Sequence, residues 1–116
     1  MNNDANNTLL TFQRLDIYQA AKQLARLVHE ARIGDAELRD QATRASKSTF
    51  LGLCEGLPSD APGIRRRHFE IANNSLHEVV GAVDLAEAIG ALDAEVARAI
   101  LELASRVKRM IRALPR

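Results

Sequence analysis

The stretch LRDQATRASKSTFLGLCEG, from Leu38 to Gly56, has the character of a helix with an unusual inner face. Small and polar residues stand where a helix of a bundle ordinarily carries Leu and Val. Small residues such as Ala45 and Gly52 allow the backbone of a second helix to approach closely. The pattern therefore predicts that this stretch packs tightly against another helix.

Three polar residues of this stretch, Gln41, Ser48 and Glu55, are spaced by seven and therefore lie along one line of the helix. A later stretch offers Ser75 and Glu78, three apart on one side, as hydrogen-bond partners. Buried polar groups without partners are costly. We therefore expect a polar seam between the two helices that fixes their register. The alternative is that Glu55 faces water or bonds to the backbone at a helix end.

Three short breaks divide the chain, around residues 32–35, 56–63 and 90–93. Each joins a Gly that can end a helix to an Asp or Ser that can begin the next. The four remaining segments and their short connections predict an all-α, antiparallel up-down-up-down four-helix bundle. We expect one domain over residues 11–116, preceded by a polar, disordered tail over residues 1–10.

Apolar residues recur at helical spacing in the first and fourth segments, which predicts one core-facing stripe on each helix. In the fourth segment the spacing alternates between four and three, as in a seam against a partner helix. The predicted stripes are Leu15, Tyr18, Ala21, Leu24, Ala25 and Val28 in the first segment and Val96, Ile100, Leu103, Val107, Met110 and Leu114 in the fourth.

The second and third segments are apolar on two faces. A helix that is apolar on two faces is packed on two sides. In a domain of four helices, the second contact can come from another subunit, so we expect self-association. The predicted interface residues are Phe50, Leu53 and Leu57 on the second segment and Ile71, Leu85 and Ile89 on the third.

Composition and short motifs exclude several classes of function. The net charge is +1, and Cys54 is the only cysteine, so the chain has no intramolecular disulfide framework. We interpret Cys54 as a packed thiol, because its neighbours are apolar. The first residues do not resemble a signal peptide, and no apolar run is long enough to span a membrane. A cytoplasmic protein that does not enter a membrane is expected.

No arrangement of residues indicates catalysis. His29, His68 and His77 do not share a helix face at the spacing of metal ligands. Phosphate loops and nucleotide-binding fingerprints are absent from the sequence. Glu55 and Glu78 offer an alternative as an acid–base pair, but structural roles are far commoner for such residues. We predict a protein that is not an enzyme and that binds no metal or cofactor.

Basic residues form two groups, one at the start of the third helix and one at the end of the fourth. In an antiparallel pair these two ends lie side by side. The positive charge of an arginine is unfavourable at a helix N-terminus, because that end of the helix dipole is itself positive. Contact with an anionic partner is one explanation for the arginines there. The alternative is that both groups of basic residues are ordinary solvent-exposed side chains. The predicted contacts to nucleic-acid phosphates, without stacking on bases, are Arg65, Arg66, Arg67, Arg106, Lys108, Arg109 and Arg112.

Three stretches carry a family resemblance: RLDIYQAAKQL, LRDQATRASKSTFLGLCEG and HFEIANNSLHEVVGAVDLA. They resemble the small bacterial four-helix-bundle proteins encoded in 23S ribosomal RNA intervening sequences. The Glu55–Gly56 ending and the Ser75 and Glu78 pair make this resemblance specific, and it extends over residues 12–92. The other matching positions are Leu15, Tyr18, Ala21, Leu38, Arg39, Gln41, Arg44, Ala45, Ser48, Phe69, Ile71, Ala72 and Leu76.

The resemblance implies an antiparallel four-helix bundle that assembles as a homopentamer. A related branch, the accessory variability proteins of diversity-generating retroelements, is also pentameric and basic, and it binds nucleic acid and a reverse transcriptase. This chain departs from the family where Gly52 replaces an Asn, Cys54 replaces an Ala, and Asp40 and Thr43 thin the basic run.

Two functions therefore remain open. One is a homo-oligomeric bundle that binds structured RNA, a ribonucleoprotein or a nucleic-acid-processing protein. The other is a protein-binding scaffold without a nucleic-acid role.

Overall fold

The computed structural model describes residues 9–115 and contains four α-helices, which follow a short 3₁₀ turn at Thr11–Arg14. The helices are α1 (Asp16–Glu30), α2 (Ala36–Gly56), α3 (Pro62–Ala88) and α4 (Ala94–Ala113). No strand occurs between residues 9 and 115. The predicted all-α class with four helices is therefore confirmed. Most of the predicted tail, residues 1–8, lies outside the described residues.

Asp35 and Asp93 begin α2 and α4 as predicted, whereas α3 begins after Ala61 without a side-chain cap and α1 ends at Glu30, before Gly34. A side-chain oxygen of Asp35 accepts a hydrogen bond from the backbone N–H of Leu38 at 2.9 Å. Asp93 accepts one from the N–H of Glu95 at 3.1 Å. These bonds cap N–H groups that have no partner within their own helix. Gly90, just beyond α3, has a φ of +79°, a conformation that suits glycine at the end of a helix.

Helices α2 and α3 form the most extensive helix pair of the bundle. Ser48 in the middle of α2 bonds to Ser75 of α3. Nearer the α2–α3 loop, a carboxylate oxygen of Glu55 lies 3.8 Å from Nε2 of His68. Late positions of α2 thus meet early positions of α3, which is the pairing of antiparallel neighbours. Helix α1 packs against α2 and α4, and α4 packs against α3, so the four helices surround one core.

Small residues on α2 bring α2 and α3 close together. A Cβ atom on Gly52 would lie 3.2 Å from both the Cβ of Ala72 and the carbonyl oxygen of His68. A Cβ atom on Gly56 would lie 2.7 Å from Cε1 of Phe69. A larger residue at either position would push the helices apart. The tight packing predicted for the Leu38–Gly56 stretch is therefore confirmed.

The stripe predicted on α1 is largely confirmed. Tyr18, Ala21, Leu24 and Val28 are all buried, and Ala25 is half-buried. Leu15 is exposed because it stands one residue before the helix begins.

The buried face of α4 differs from the predicted one. Its buried residues are Ala97, Ile100, Ala104, Val107 and Ile111. Ile100 and Val107 are buried as predicted, whereas the other members of the predicted stripe are half-buried or exposed: Val96, Leu103, Met110 and Leu114. The core seam runs one position beyond the predicted row at Ala97, Ala104 and Ile111, so two alanines occupy core positions where larger residues were expected.

Candidate nucleic-acid interface

Arg65 joins the start of α3 to the end of α4. Its Nε donates to the carbonyl oxygen of Pro115 at 3.4 Å. Its Nη1 donates to the carbonyl oxygens of Leu57 at 2.8 Å and Ser59 at 3.3 Å. The guanidinium carbon also lies 5.0 Å from the centre of the Phe69 ring. Because the last carbonyls of α2 have no partner within that helix, Arg65 caps them. An arginine at the start of α3 thus has a structural reason besides an anionic partner.

The other arginines of the two basic groups are exposed to solvent. None of them forms an ion pair with an acidic side chain of residues 9–115. The bond from Arg65 to Pro115 brings the start of α3 and the end of α4 to one end of the bundle. We name this surface the basic end, and it consists of Arg66, Arg67, Arg106, Arg109 and Arg112.

Lys108 was predicted to contact phosphate, but its side chain turns toward α3. It is half-buried, and its Nζ lies 3.1 Å from Oδ1 of Asn73 and 2.7 Å from Nε2 of His77. An ammonium group can only donate, so in this contact Lys108 is the donor and Nε2 of His77 is the acceptor. Lys108 forms no ion pair with an acidic side chain of residues 9–115, and it borders a groove between α3 and α4.

The polar seam between α2 and α3 is shorter than predicted. Ser48 Oγ and Ser75 Oγ are 2.8 Å apart, and Ser75 is buried. Gln41, Glu55 and Glu78 are all exposed. Glu55 therefore faces water, which was the alternative expectation for this residue. Charged groups stay in solvent because burial without a partner is costly, so the buried seam is a single serine pair.

Three residues of the predicted subunit interface are exposed on α3. The exposed fractions are 41% for Ile71, 51% for Leu85 and 56% for Ile89. Ile64, which the sequence analysis missed, is also exposed and lies seven residues before Ile71 on the same side of the helix. The seven-residue spacing between Ile64 and Ile71 is the sequence signal that would have identified Ile64. We call these four residues the apolar strip.

The interface residues predicted on α2 are less exposed than those on α3. Leu53 has no exposed surface, and Leu57 is 8% exposed, because both pack in the core of the chain itself. Phe50 is half-buried, with its ring centre 5.0 Å from that of Tyr18. The exposed apolar residue of α2 is instead Leu51, which was also missed.

Groups with reactive chemistry are few. Partial burial, and secondarily the charge of Glu55, raise the pKa of the Cys54 thiol. The thiol stays protonated and is a weak nucleophile. Among residues 9–115, no three His, Cys, Asp or Glu side chains come together as a metal site. In the same range, no helix has both the length and the apolar character of a membrane span.

Comparison with known families accounts for this architecture. A family model described as 23S rRNA-intervening sequence protein matches residues 13–113. The match includes all four helices and every residue of the basic end. A comparison with curated proteins returned no match. The resemblance inferred from the three stretches is confirmed. Since the family model matches most of the chain, the protein belongs to the 23S rRNA-intervening sequence protein family.

Proposed function

We propose that the protein is a non-enzymatic, self-associating helical bundle that binds structured RNA in the cytoplasm through its basic end. The observation that carries this proposal is the bond from Arg65 to Pro115, which brings two separate basic segments to one end of the bundle. Five arginines there are exposed and free of acidic partners within residues 9–115. Concentrated positive charge of this kind attracts a phosphate backbone.

The distribution of acids supports a directional attraction. Residues 78–97 contain five acidic residues and no lysine or arginine. They form the end of α3, the following loop and the start of α4, which lie away from the basic end. Although the net charge is only +1, this acidic segment and the basic end are separated along the bundle. This separation orients an approaching polyanion toward the basic end.

The mode of binding follows from the aromatic residues. The chain has one tyrosine and three phenylalanines, and all four are buried or half-buried. A platform of exposed aromatic rings for stacking on bases is therefore missing. At the basic end, RNA is therefore bound by contacts to phosphates and by the shape of the RNA helix.

A titration of a labelled RNA hairpin at about 50 and about 200 mM salt tests this proposal. The test variant is Arg66→Gln, Arg67→Gln and Arg112→Gln. Its matched control is Arg26→Gln, Arg32→Gln and Arg98→Gln, which removes the same charge from elsewhere on the bundle. Arg65 is left intact because it caps α2. Affinity should fall steeply with salt, and the test variant should bind on the order of ten-fold more weakly than the control.

Equal loss of affinity in both triple variants would mean that net charge alone attracts the RNA. Absence of binding by the unmodified protein at low salt would refute an RNA-binding role.

A second candidate function is a protein-binding scaffold. The observation that favours it is the apolar strip, because exposed apolar residues grouped on one helix mark protein contacts. Under this alternative, the protein assembles with itself, as the pentamer implied by the family resemblance, and binds a nucleic-acid-processing protein. Self-association without any binding of RNA would favour this function over the first.

A further inference from the structure

An open groove runs between α3 and α4, on a side of α3 that the apolar strip does not occupy. Its floor is apolar and consists of Leu76, Val80, Leu101 and Ala104. Val80 is partly exposed in this floor, and Leu101 is half-buried. A ligand with a flat apolar surface would therefore find contacts along the middle of the groove.

Positive charge marks one end of the groove. There Lys108 Nζ donates hydrogen bonds to Oδ1 of Asn73 and to Nε2 of His77. Arg109 is the next residue and does not itself line the groove, but its Nη1 donates at 2.9 Å to Oγ of Ser105, which does. Neither cation forms an ion pair within residues 9–115. Two cations that are held in place by hydrogen bonds, without a carboxylate partner, remain available to an anionic group.

Negative charge marks the other end. Asp84 lines the groove seven residues, or about 10 Å along the helix, from His77. It is exposed, and it forms no ion pair within the described part of the chain. A carboxylate repels phosphate, so Asp84 favours a nucleic acid only where it accepts a hydrogen bond from a base.

We propose that this groove receives one unpaired nucleotide of the bound RNA. The phosphate lies at Lys108 and Arg109, the base lies flat on Val80 and Leu101, and Asp84 accepts a hydrogen bond from the base edge. This inference rests on the proposed RNA-binding function and names the feature of the RNA that the protein selects.

The carboxylate predicts which bases are accepted. Cytosine and adenine carry an exocyclic amino group that donates to a carboxylate, and guanine presents two neighbouring donors. Uracil presents one N–H between two carbonyl oxygens, which repel the carboxylate. Bulged nucleotides are the natural ligands, because their bases are unstacked and can turn toward the protein. A bulged uracil should therefore be bound more weakly than the other three.

The experiment compares five RNA hairpins with the same stem, one fully paired and four with a single bulged A, C, G or U. Fluorescence anisotropy at low salt measures each affinity. The unmodified protein should bind the C bulge on the order of ten-fold more tightly than the U bulge or the paired hairpin. Asp84→Ala should remove the difference between the C and U bulges. Glu70→Ala is the matched control, because it removes an equal charge from an exposed position of α3 outside the groove and should preserve the difference.

The possible results separate this inference from the function on which it rests. Equal, salt-sensitive binding of all five hairpins would overturn the nucleotide site and leave the RNA-binding function intact. Equal loss of discrimination in both variants would also overturn it, since the effect would then be one of net charge. If no hairpin binds, both the function and the site are refuted.

Discussion

At the scale of single residues, two glycines of neighbouring helices stand in opposite surroundings. Gly56 of α2 faces the ring of Phe69, which is completely buried and has no room to move. Gly81, in the interior of α3, has no atom within 4 Å of the position that its Cβ would take. The first glycine is required by packing within the chain, whereas the second weakens its helix and gains no such contact.

These surroundings predict opposite effects of the same substitution. Gly56→Ala should destabilise the fold by about 1–3 kcal/mol, because the new Cβ would overlap the Phe69 ring. Gly81→Ala should stabilise it by about 0.5–1 kcal/mol through higher helix propensity. Urea unfolding followed by circular dichroism measures both. Equal effects of the two substitutions would show that the close approach of α2 and α3 does not depend on Gly56.

At the scale of the helices, Arg65 connects three elements. It caps the last carbonyls of α2, belongs to the first turns of α3, and reaches Pro115 just beyond α4. Its neighbour Arg66 is exposed and has none of these contacts. The stability of the basic end should therefore depend on the first arginine of the run alone, although the three are adjacent in the sequence.

Arg65→Ala should lower the free energy of unfolding by about 1–2 kcal/mol, because carbonyls at the end of α2 lose a charged donor. Arg66→Ala should change it by less than about 0.5 kcal/mol, as expected for an exposed residue. Arg65→Lys should recover only part of the loss, since an ammonium lacks the planar fork that bonds several carbonyls and lies over Phe69. Chemical denaturation compares the three variants. A cost for Arg66→Ala as large as that for Arg65→Ala would contradict the assigned cap.

The helices also show what a sequence can and cannot predict. The caps at Asp35 and Asp93 are local, so the starts of α2 and α4 were predictable. The inner face of α4 was not, because a count of large apolar residues passes over Ala97 and Ala104. In the candidate site, the exposed arginines follow from the charge runs. Pro115 lies 50 residues from Arg65, and His77 lies 31 residues from Lys108, so only the folded chain reveals these two contacts.

At the scale of the whole molecule, the bundle has three distinct surface regions. The basic end carries five exposed arginines, the α3–α4 groove lies along one side of α3, and the apolar strip lies along another. The strip is the surface most costly to leave in water, since Ile64, Leu85 and Ile89 each expose about half of their area. Self-association through the strip would cover its apolar side chains and also Arg67, which lies three residues after Ile64 and four before Ile71 on the same side of α3.

Two substitutions in the strip test self-association. Leu85→Glu with Ile89→Glu should reduce the mass in solution to that of one chain, 12.8 kDa, because the charges would be buried between subunits. The double variant should remain helical, since both side chains are exposed in the single chain. Leu10→Glu with Val96→Glu is the matched control, because these residues are exposed outside the strip and add the same charge. Sedimentation equilibrium measures the mass of all three proteins.

The same variant connects assembly to RNA binding. Joining several basic ends in one particle raises the affinity for a long RNA above that of each end, because later contacts are intramolecular. Leu85→Glu with Ile89→Glu should therefore bind a long structured RNA on the order of a hundred-fold more weakly, while a short hairpin is bound with little change. A single-chain mass for the unmodified protein would refute self-association. An equal loss of affinity for both RNAs would instead indicate that the strip itself contacts RNA.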